Sequence, residues 1–237
     1  MSNSFKPIGV NLGGLPNKNG EPDLTLAQVK PEYTQHYEVG IKTAPTKFSG
    51  FNLVIHRSDI KNYQTLVQDP DPSILRGYFA NAESVRVQGI EVDGNISINN
   101  HITLNAAFAY TDGKYVSFKN APLPLEETRA RDENNVAIPF KDISGERLPG
   151  ISKYAGTFGA ELSTKKANFL GKTGKYFMGA DTYYRSEFSS SPTPSKYLNI
   201  DGYALLNARL GFRATDGLTA IIWARNLLNQ NYFEQLL

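Results

Sequence analysis

Leu218 to Phe233 reads LTAIIWARNLLNQNYF. Ala220 and Ile222 alternate with Ile221 and Trp223, and the run stops abruptly at Arg225-Asn226. Alternation with period two marks a strand whose two faces meet different surroundings. After the stop come Leu227-Leu228-Asn229-Gln230 and an aromatic pair, Tyr232-Phe233.

The same alternation recurs upstream. Ala204, Leu206, Ala208, Leu210 and Phe212 oppose Leu205, Asn207, Arg209, Gly211 and Arg213, and Thr215-Asp216-Gly217 forms the turn between the two segments. Near the start, Tyr33, Gln35, Tyr37, Val39 and Ile41 oppose Thr34, His36, Glu38, Gly40 and Lys42. Ile102, Leu104, Ala106, Phe108 and Tyr110 oppose Thr103, Asn105, Ala107, Ala109 and Thr111. The pattern predicts an all-β antiparallel up-and-down meander of about eight long strands. They fall at about 33–44, 48–65, 78–98, 101–116, 153–166, 175–188, 200–213 and 218–226. Gly89 reads as a bulge or kink in the third of them. Residues 1–32, rich in Gly, Pro and Asn, read as an irregular loop region, and 33–237 as the strand-bearing part.

The connections alternate in length. Those near 44–47, 99–100, 167–174 and 214–217 are short; those at 67–77, 117–150 and 188–199 are long. A soluble sandwich has no reason to gather its long loops at one end. A membrane barrel has short turns on one side and long loops on the other. Mean hydropathy is −0.38 and 40% of the residues are hydrophobic. That looks soluble, but alternation keeps the average low in a membrane barrel too. No apolar run approaches the length of a spanning helix.

The net charge is +2, with no basic run, so nucleic acid has no electrostatic footprint here. There is no cysteine, which excludes disulfides, thiol catalysis and cysteine zinc sites. The opening MSNSFKPIGVNLGG has neither a basic start nor an apolar core and reads as no signal peptide. That leaves a cytosolic protein or a piece of a longer chain.

Several segments resemble the TonB-dependent outer-membrane receptors. The ending Asn226-Leu227-Leu228-Asn229 with Tyr232 is similar to that family's "N-L-[LF]-[ND]-x-x-Y". Leu26 to Lys42 resembles its "L-K-P-E…E-x-G-x-K" strand, and Ile60-Lys61-Asn62-Tyr63 its "I-x-N-Y". Asn81 with Gly89-Ile90-Glu91 matches "N-x-x-x-x-x-x-x-G-[IVFL]-E". Gly145 to Tyr154 resembles the "G-x-x-L-P-x-x-P" entry to a strand, with Ser152 where proline is usual. Together the matches cover roughly residues 26–233.

The resemblance implies a 22-stranded transmembrane barrel around an N-terminal plug, of which this chain is a C-terminal portion truncated at both ends. It implies residence in the bacterial outer membrane, contact with its lipid, and uptake of a scarce large solute, most often a ferric siderophore. Energy would come from TonB, reached only through the missing N-terminal region. The first 32 residues then read as an extracellular-type loop region. Glu38, Lys42, Glu91, Asp93, Glu161, Asp181, Arg185 and Arg209 are expected to line the lumen, and strand-end aromatics to form an interfacial belt. The belt tyrosines are Tyr33, Tyr63, Tyr78, Tyr110, Tyr115, Tyr176, Tyr184 and Tyr203, with Trp223. Ordinary strand aromatics are the alternative. A plug-less porin and a soluble all-β binding module are the other readings of the whole chain.

No catalytic constellation is expected, so the chain reads as no enzyme and calls for no cofactor. His36, His56 and His101 lie on separate strands without ligand spacing. Asp69 with Asp71, and Asp132-Glu133-Asn134, offer oxygen ligands for calcium but lack the rest of a loop site, and read as solvated charge. Solute contacts in such receptors come from plug, loops and upper wall. The candidates here are Arg129, Arg131, Tyr183 and Arg185. An arginine fork pairs with anionic oxygens, and Tyr183 stacks; ordinary loop and wall residues are the alternative for each.

Overall fold

The computed structural model describes residues 1–11, 15, 17–18, 21–69, 77–127, 129–136, 138 and 140–236. Ten strands form one antiparallel sheet: β1 (Ser2–Lys6), β2 (Glu32–Thr46), β3 (Ser49–Gln68), β4 (Gly77–Asn99), β5 (Ile102–Ser117), β6 (Tyr154–Ser163), β7 (Ala167–Phe169), β8 (Lys172–Arg185), β9 (Tyr203–Ala214) and β10 (Thr219–Ala224). Their order in space follows the chain, β1-β2-β3-β4-β5-β6-β8-β9-β10, with β7 paired to β8 as a short hairpin. The eight expected strands are all present, with ends displaced by a few residues.

Two local expectations do not hold. Residues 1–32 contain a real strand: β1 pairs with β2 from Ser2↔His36 to Lys6↔Glu32. Its sequence, SNSFK, carries no apolar alternation because every one of its residues is exposed at the sheet edge. Gly89 is neither bulge nor kink. It sits in unbroken register, His56↔Gly89↔Thr111. The register shifts of β4 lie at Ser84/Val85 and Ser97/Asn99 instead.

The short connections are built by local hydrogen bonding and positive φ. Leu170 and Gly171 (φ 49° and 77°) form the two-residue turn between β7 and β8, the arrangement whose twist suits a hairpin. Asn99 Oδ1 accepts from the backbone N–H groups of His101 and Ile102 at 2.8 and 3.0 Å. Gly217 (φ 96°) turns β9 into β10. The strand ends from which the long connections start, and Lys6 at the end of β1, all lie at the opposite end of the sheet.

Cross-strand register divides the sheet into two faces. One carries Val39, Ile55, Ile90, Tyr110 and Tyr154 in a single row, and nearer the short turns Leu162, Met178, Leu210 and Ile222 in another. Most of these apolar side chains are exposed, Ile222 at 79%. The other face carries Glu38, Lys42, Glu91, Asp93, Glu161, Asp181, Arg185 and Arg209, all of the residues expected to share the polar side.

The buried clusters lie at the long-loop end, while Phe177, Phe212 and Ala214 are buried near the short turns. Val67, Tyr78, Ala82, Val85, Tyr115, Phe118, Ala121, Ile143 and Leu148 form one buried cluster, where the 118–153 connection folds back over β3, β4 and β5. Asn62 (φ 54°) lets β3 reach it. Ile60 and Tyr63 both pack on the cluster although three residues apart, so the side-chain alternation shifts at Asn62. Asparagine tolerates this left-handed conformation better than most residues. Its Nδ2 donates to Pro31 O, and its own carbonyl accepts from Asn81 Nδ2.

Burial corrects the belt. Tyr78, Tyr115 and Tyr203 are buried, and Tyr63 packs on the same cluster as Tyr115. These rings are covered by loop, not presented to an interface. Trp223 is exposed but lies in register with Arg209 on the polar face. Tyr33, Tyr110, Tyr176 and Tyr184 do lie on the apolar face, in register with its neighbours.

Candidate functional site

The polar face is a wall of paired charges. On β6, β8 and β9, Arg209 bridges two carboxylates: Nη2 to Glu161 Oε2 at 3.3 Å and Nη1 to Asp181 Oδ1 at 3.2 Å. Arg213 meets the other Glu161 oxygen at 3.3 Å, and Asn207 Nδ2 donates to Asp181 Oδ2 at 2.8 Å. Gly179 makes this possible, because a Cβ there would come within 2.9 Å of the Arg209 guanidinium carbon. Partly exposed pairs of this kind add little stability singly. What they supply is a fixed polar lining.

A second group lies on β2, β3 and β4. The rings of His36 and His56 stack with centroids 6.3 Å apart. His36 Nδ1 and Ser58 Oγ are hydrogen bonded at 2.8 Å. His56 Nε2 is buried without a hydrogen-bond partner among the described residues, and Glu91 Oε1 stands 3.7 Å away. Gly89 lies beneath it: a Cβ at that position would sit 2.8 Å from His56 Nε2 and 2.3 Å from the Tyr110 carbonyl. The glycine of the G-I-E motif therefore admits the Tyr110 carbonyl on one side and the His56 ring on the other. His36 and His56 lie on separate strands without ligand spacing, and their juxtaposition follows from the register His36↔Ser58 and Glu38↔His56.

At the long-loop end the connections are tied to one another. Ser195 Oγ donates to Glu126 Oε2 at 2.7 Å, and the Lys196 backbone N–H to Glu126 Oε1 at 3.0 Å. Burial alone would raise the Glu126 pKa, but the Lys196 N–H and the Ser195 hydroxyl hold the carboxyl below its ordinary range. Tyr115 donates its hydroxyl to Pro192 O at 2.9 Å. Pro7, Asn11 and Lys30 dock on β3 and β4: Gln64 Nε2 donates to Pro7 O and Lys30 O, and Asn11 Nδ2 to Phe79 O.

The four solute-contact candidates lie at this end. Arg129 and Arg131 are exposed in the 118–153 connection, and Arg131 Nη1 donates to Asn135 O at 2.7 Å. Tyr183 and Arg185 stand on the polar face at the end of β8, Tyr183 packed against the Phe188, Ile200 and Tyr203 cluster. Arg185 is already engaged. Its Nε donates to Ser152 Oγ and its Nη2 to Gly150 O, both at 2.6 Å, and its guanidinium lies 3.5 Å over the Phe188 ring. The acidic calcium candidate at 132–134 is likewise occupied: Asp132 Oδ1 accepts from the backbone N–H groups of Asn134 and Val136. Asp71 of the other pair lies outside the described residues. No group of three or more metal-ligating side chains occurs among the described residues.

A sheet with one apolar exposed face, one charged face, short turns at one end and interlocked loops at the other is a piece of barrel wall. The model of the TonB dependent receptor-like, beta-barrel family matches residues 1–227. The chain belongs to the TonB-dependent receptor family. Solved receptor structures share its fold at low identity. The ferric yersiniabactin uptake receptor FyuA from Yersinia pestis superposes with a TM-score of 0.67 at 14% identity, over 99% of this chain and 30% of that one. The siderophore receptor PiuA from Acinetobacter baumannii gives 0.64 at 18% identity, over 98% and 29%. The copper transporter OprC gives 0.65 at 13%, over 98% and 31%. The chain thus spans about 30% of the length of the solved receptors it matches. Receptor barrels of this family reside in the outer membrane of Gram-negative bacteria.

Proposed function

We propose that this chain is the wall of an outer-membrane active importer of a scarce, large solute, a ferric siderophore before any other. TonB supplies the energy through a part of the receptor outside these residues. The observation that carries the reading is the pairing of a fixed, charged lumen wall with long loops locked together above it. A passive pore needs no interlocked loops over its mouth. The relatives point the same way: two of the solved structures are a ferric siderophore uptake receptor and a siderophore receptor.

Arg129 and Arg131 are the solute contacts first placed to act. Both are exposed at the long-loop end and both present a guanidinium, which pairs well with anionic oxygens. Tyr183 and Arg185 form the second tier on the upper lumen wall, Arg185 by holding Gly150 and Ser152 in place as much as by contact.

The test is uptake of radiolabelled ferric siderophores by cells that carry, or lack, the receptor containing this wall. The reading expects uptake that stops when TonB is deleted or the proton gradient is collapsed. Uptake that persists under both conditions would establish a passive pore. Within an active receptor, Arg131→Ala is expected to weaken solute binding about tenfold, as loss of one charge-assisted hydrogen bond does, with transport at saturating solute unchanged.

A further inference from the structure

At the long-loop end β4 outruns its neighbour. β5 pairs with it only from Ser84↔Ser117 onward, so Gly77 to Ala82 are held by β3 on one side and face no strand on the other among the described residues. A side chain closes part of that open edge. Asn11 Oδ1 accepts from the Phe79 N–H at 2.7 Å, and Asn11 Nδ2 donates to the Phe79 carbonyl at 2.9 Å, as a paired strand would. Asn81, two residues on, turns its own N–H and C=O to the same side. Neither has a partner among the described residues.

The space beside Asn81 is a cavity of 390 Å³ between β4, the segment 23–30 and the start of the 118–153 connection. Tyr78, Phe118 and Phe140 supply its aromatic wall, and Tyr78 and Phe118 are fixed by burial. Its polar groups are mixed. Asp23 and Glu83 bring carboxylates, Lys30 an ammonium, and Gln28 and Asn120 amides. Glu83 is oriented by the Lys119 backbone N–H, which donates to its Oε2 at 3.2 Å. The side chains of Lys30, Gln28 and Asn120 make no hydrogen bond or ion pair among the described residues.

Three classes of ligand fit this lining badly. An anion meets two carboxylates against one ammonium. An acyl chain would bury the amides and the Asn81 N–H without partners, which is costly. A peptide strand needs a run of open backbone, and Asn11 already takes the first residue of it. A sugar ring matches each feature. Its hydroxyls both donate and accept, so they suit amides, an ammonium and a backbone N–H and C=O together. Its C–H face is drawn to the negative face of an aromatic ring. We propose that this cavity binds one neutral pyranose sugar ring, stacked on Phe140 and hydrogen bonded by Asn120, Gln28 and the Asn81 backbone. The site shares no residue with the four solute-contact candidates, and the proposal is independent of which solute the receptor imports.

The experiment uses the intact receptor that carries this wall, purified in a sugar-free detergent. Glucose, galactose and N-acetylglucosamine are titrated in and followed by saturation-transfer NMR. At least one of them is expected to bind with Kd of about 1 mM, as a small ligand of this size does. Asn120→Ala is expected to weaken binding about fivefold, the loss of one hydrogen bond. Phe140→Ala is expected to weaken it about tenfold through the lost ring contact. Asn120 is exposed and makes no internal bond, so heat-modifiable migration of Asn120→Ala is expected to be unchanged, which keeps the test valid if Phe140→Ala misfolds. An oligosaccharide that binds more tightly than the single sugar would place the ring at the end of a glycan, and equal binding would mark a free sugar; both support the proposal. Absence of saturable binding by all three sugars overturns it, as does equal binding by wild type and Asn120→Ala. So does a ferric siderophore whose binding Asn120→Ala weakens, which would give the cavity to the imported solute. Siderophore uptake by Asn120→Ala is expected to be unchanged, so failure of the sugar site and failure of the transport reading are separately visible.

Discussion

Two parts of this sheet are made by different solvents. From the tyrosine row down to the short turns most of its apolar side chains are exposed, with Phe177 and Phe212 the buried exceptions. Leu210 and Ile222 are exposed at 58% and 79%. Above the row, the same strands carry a buried cluster around Tyr115 and Phe118, closed over by the 118–153 connection. On the proposed reading, the lower part depends on lipid to solvate its apolar face and on closed pairing to satisfy its backbone. The upper part depends on the hydrophobic effect in water. A barrel strand longer than the membrane thus belongs to two folding problems, and its side-chain pattern changes where it passes between them.

The comparison breaks most visibly at Tyr115, which is fully buried in the upper cluster. Tyr115→Ala should destabilise the cap by about 3–5 kcal/mol, as large-to-small core changes do. Limited proteolysis should then cut within 118–153, while the lower strands stay protected. If the whole barrel unfolded instead, the two parts would be one cooperative unit.

The next test sets two adjacent residues against each other. Ala106 lies on the lipid face, paired with Gly94 and Phe158, and Ala107 on the lumen face, paired with Asp93 and Thr157. Ala106→Arg near the middle of the apolar band should cost about 2–4 kcal/mol. Ala107→Arg should cost no more than about 0.5 kcal/mol, as a change on a polar surface. Denaturant unfolding of the two variants in lipid vesicles measures the difference, and similar costs would remove the assignment of faces.

The smallest expected effect is in pH. The folded pKa of Glu126 is depressed by the Lys196 N–H and the Ser195 hydroxyl, which outweigh burial. A depressed carboxylate stabilises the fold above its unfolded pKa, and that contribution disappears as pH falls through the folded value. The link between the 118–153 and 186–202 connections should therefore hold at neutral pH and loosen only below the ordinary glutamate range of about 4.3. A fluorophore pair, one on each connection, should separate in that window, and Glu126→Gln should remove the pH dependence.

The lower sheet was almost wholly legible in sequence, because lipid and lumen impose strict alternation on it. Residues 203–213 announce both faces and both neighbours' register. The upper part was legible only in outline. Tyr63, Tyr78 and Tyr115 occupy strand-end positions like Tyr110, and a ring under a folded loop leaves the same local pattern as a ring at a headgroup. Strand β1 escaped because an edge strand that is exposed throughout carries no apolar signal. Gly89 reads in sequence as a bulge or kink, but its reason is the close approach of the Tyr110 carbonyl and the His56 ring from its two neighbouring strands. The Arg129 and Arg131 candidates came from residue type in a charged loop. The Arg185 clamp on Gly150 and Ser152 depends on a return of the chain that no local pattern encodes.

The Glu126 link also constrains how such a chain can change over generations. A carboxylate in one connection is held by a hydroxyl and an N–H in another, some seventy residues later in the chain. Recombination that brings in a new 118–153 segment without its matching Ser195 and Lys196 separates lock from key. A transplanted 118–153 segment is therefore expected to keep this link only where the recipient carries a hydroxyl at 195.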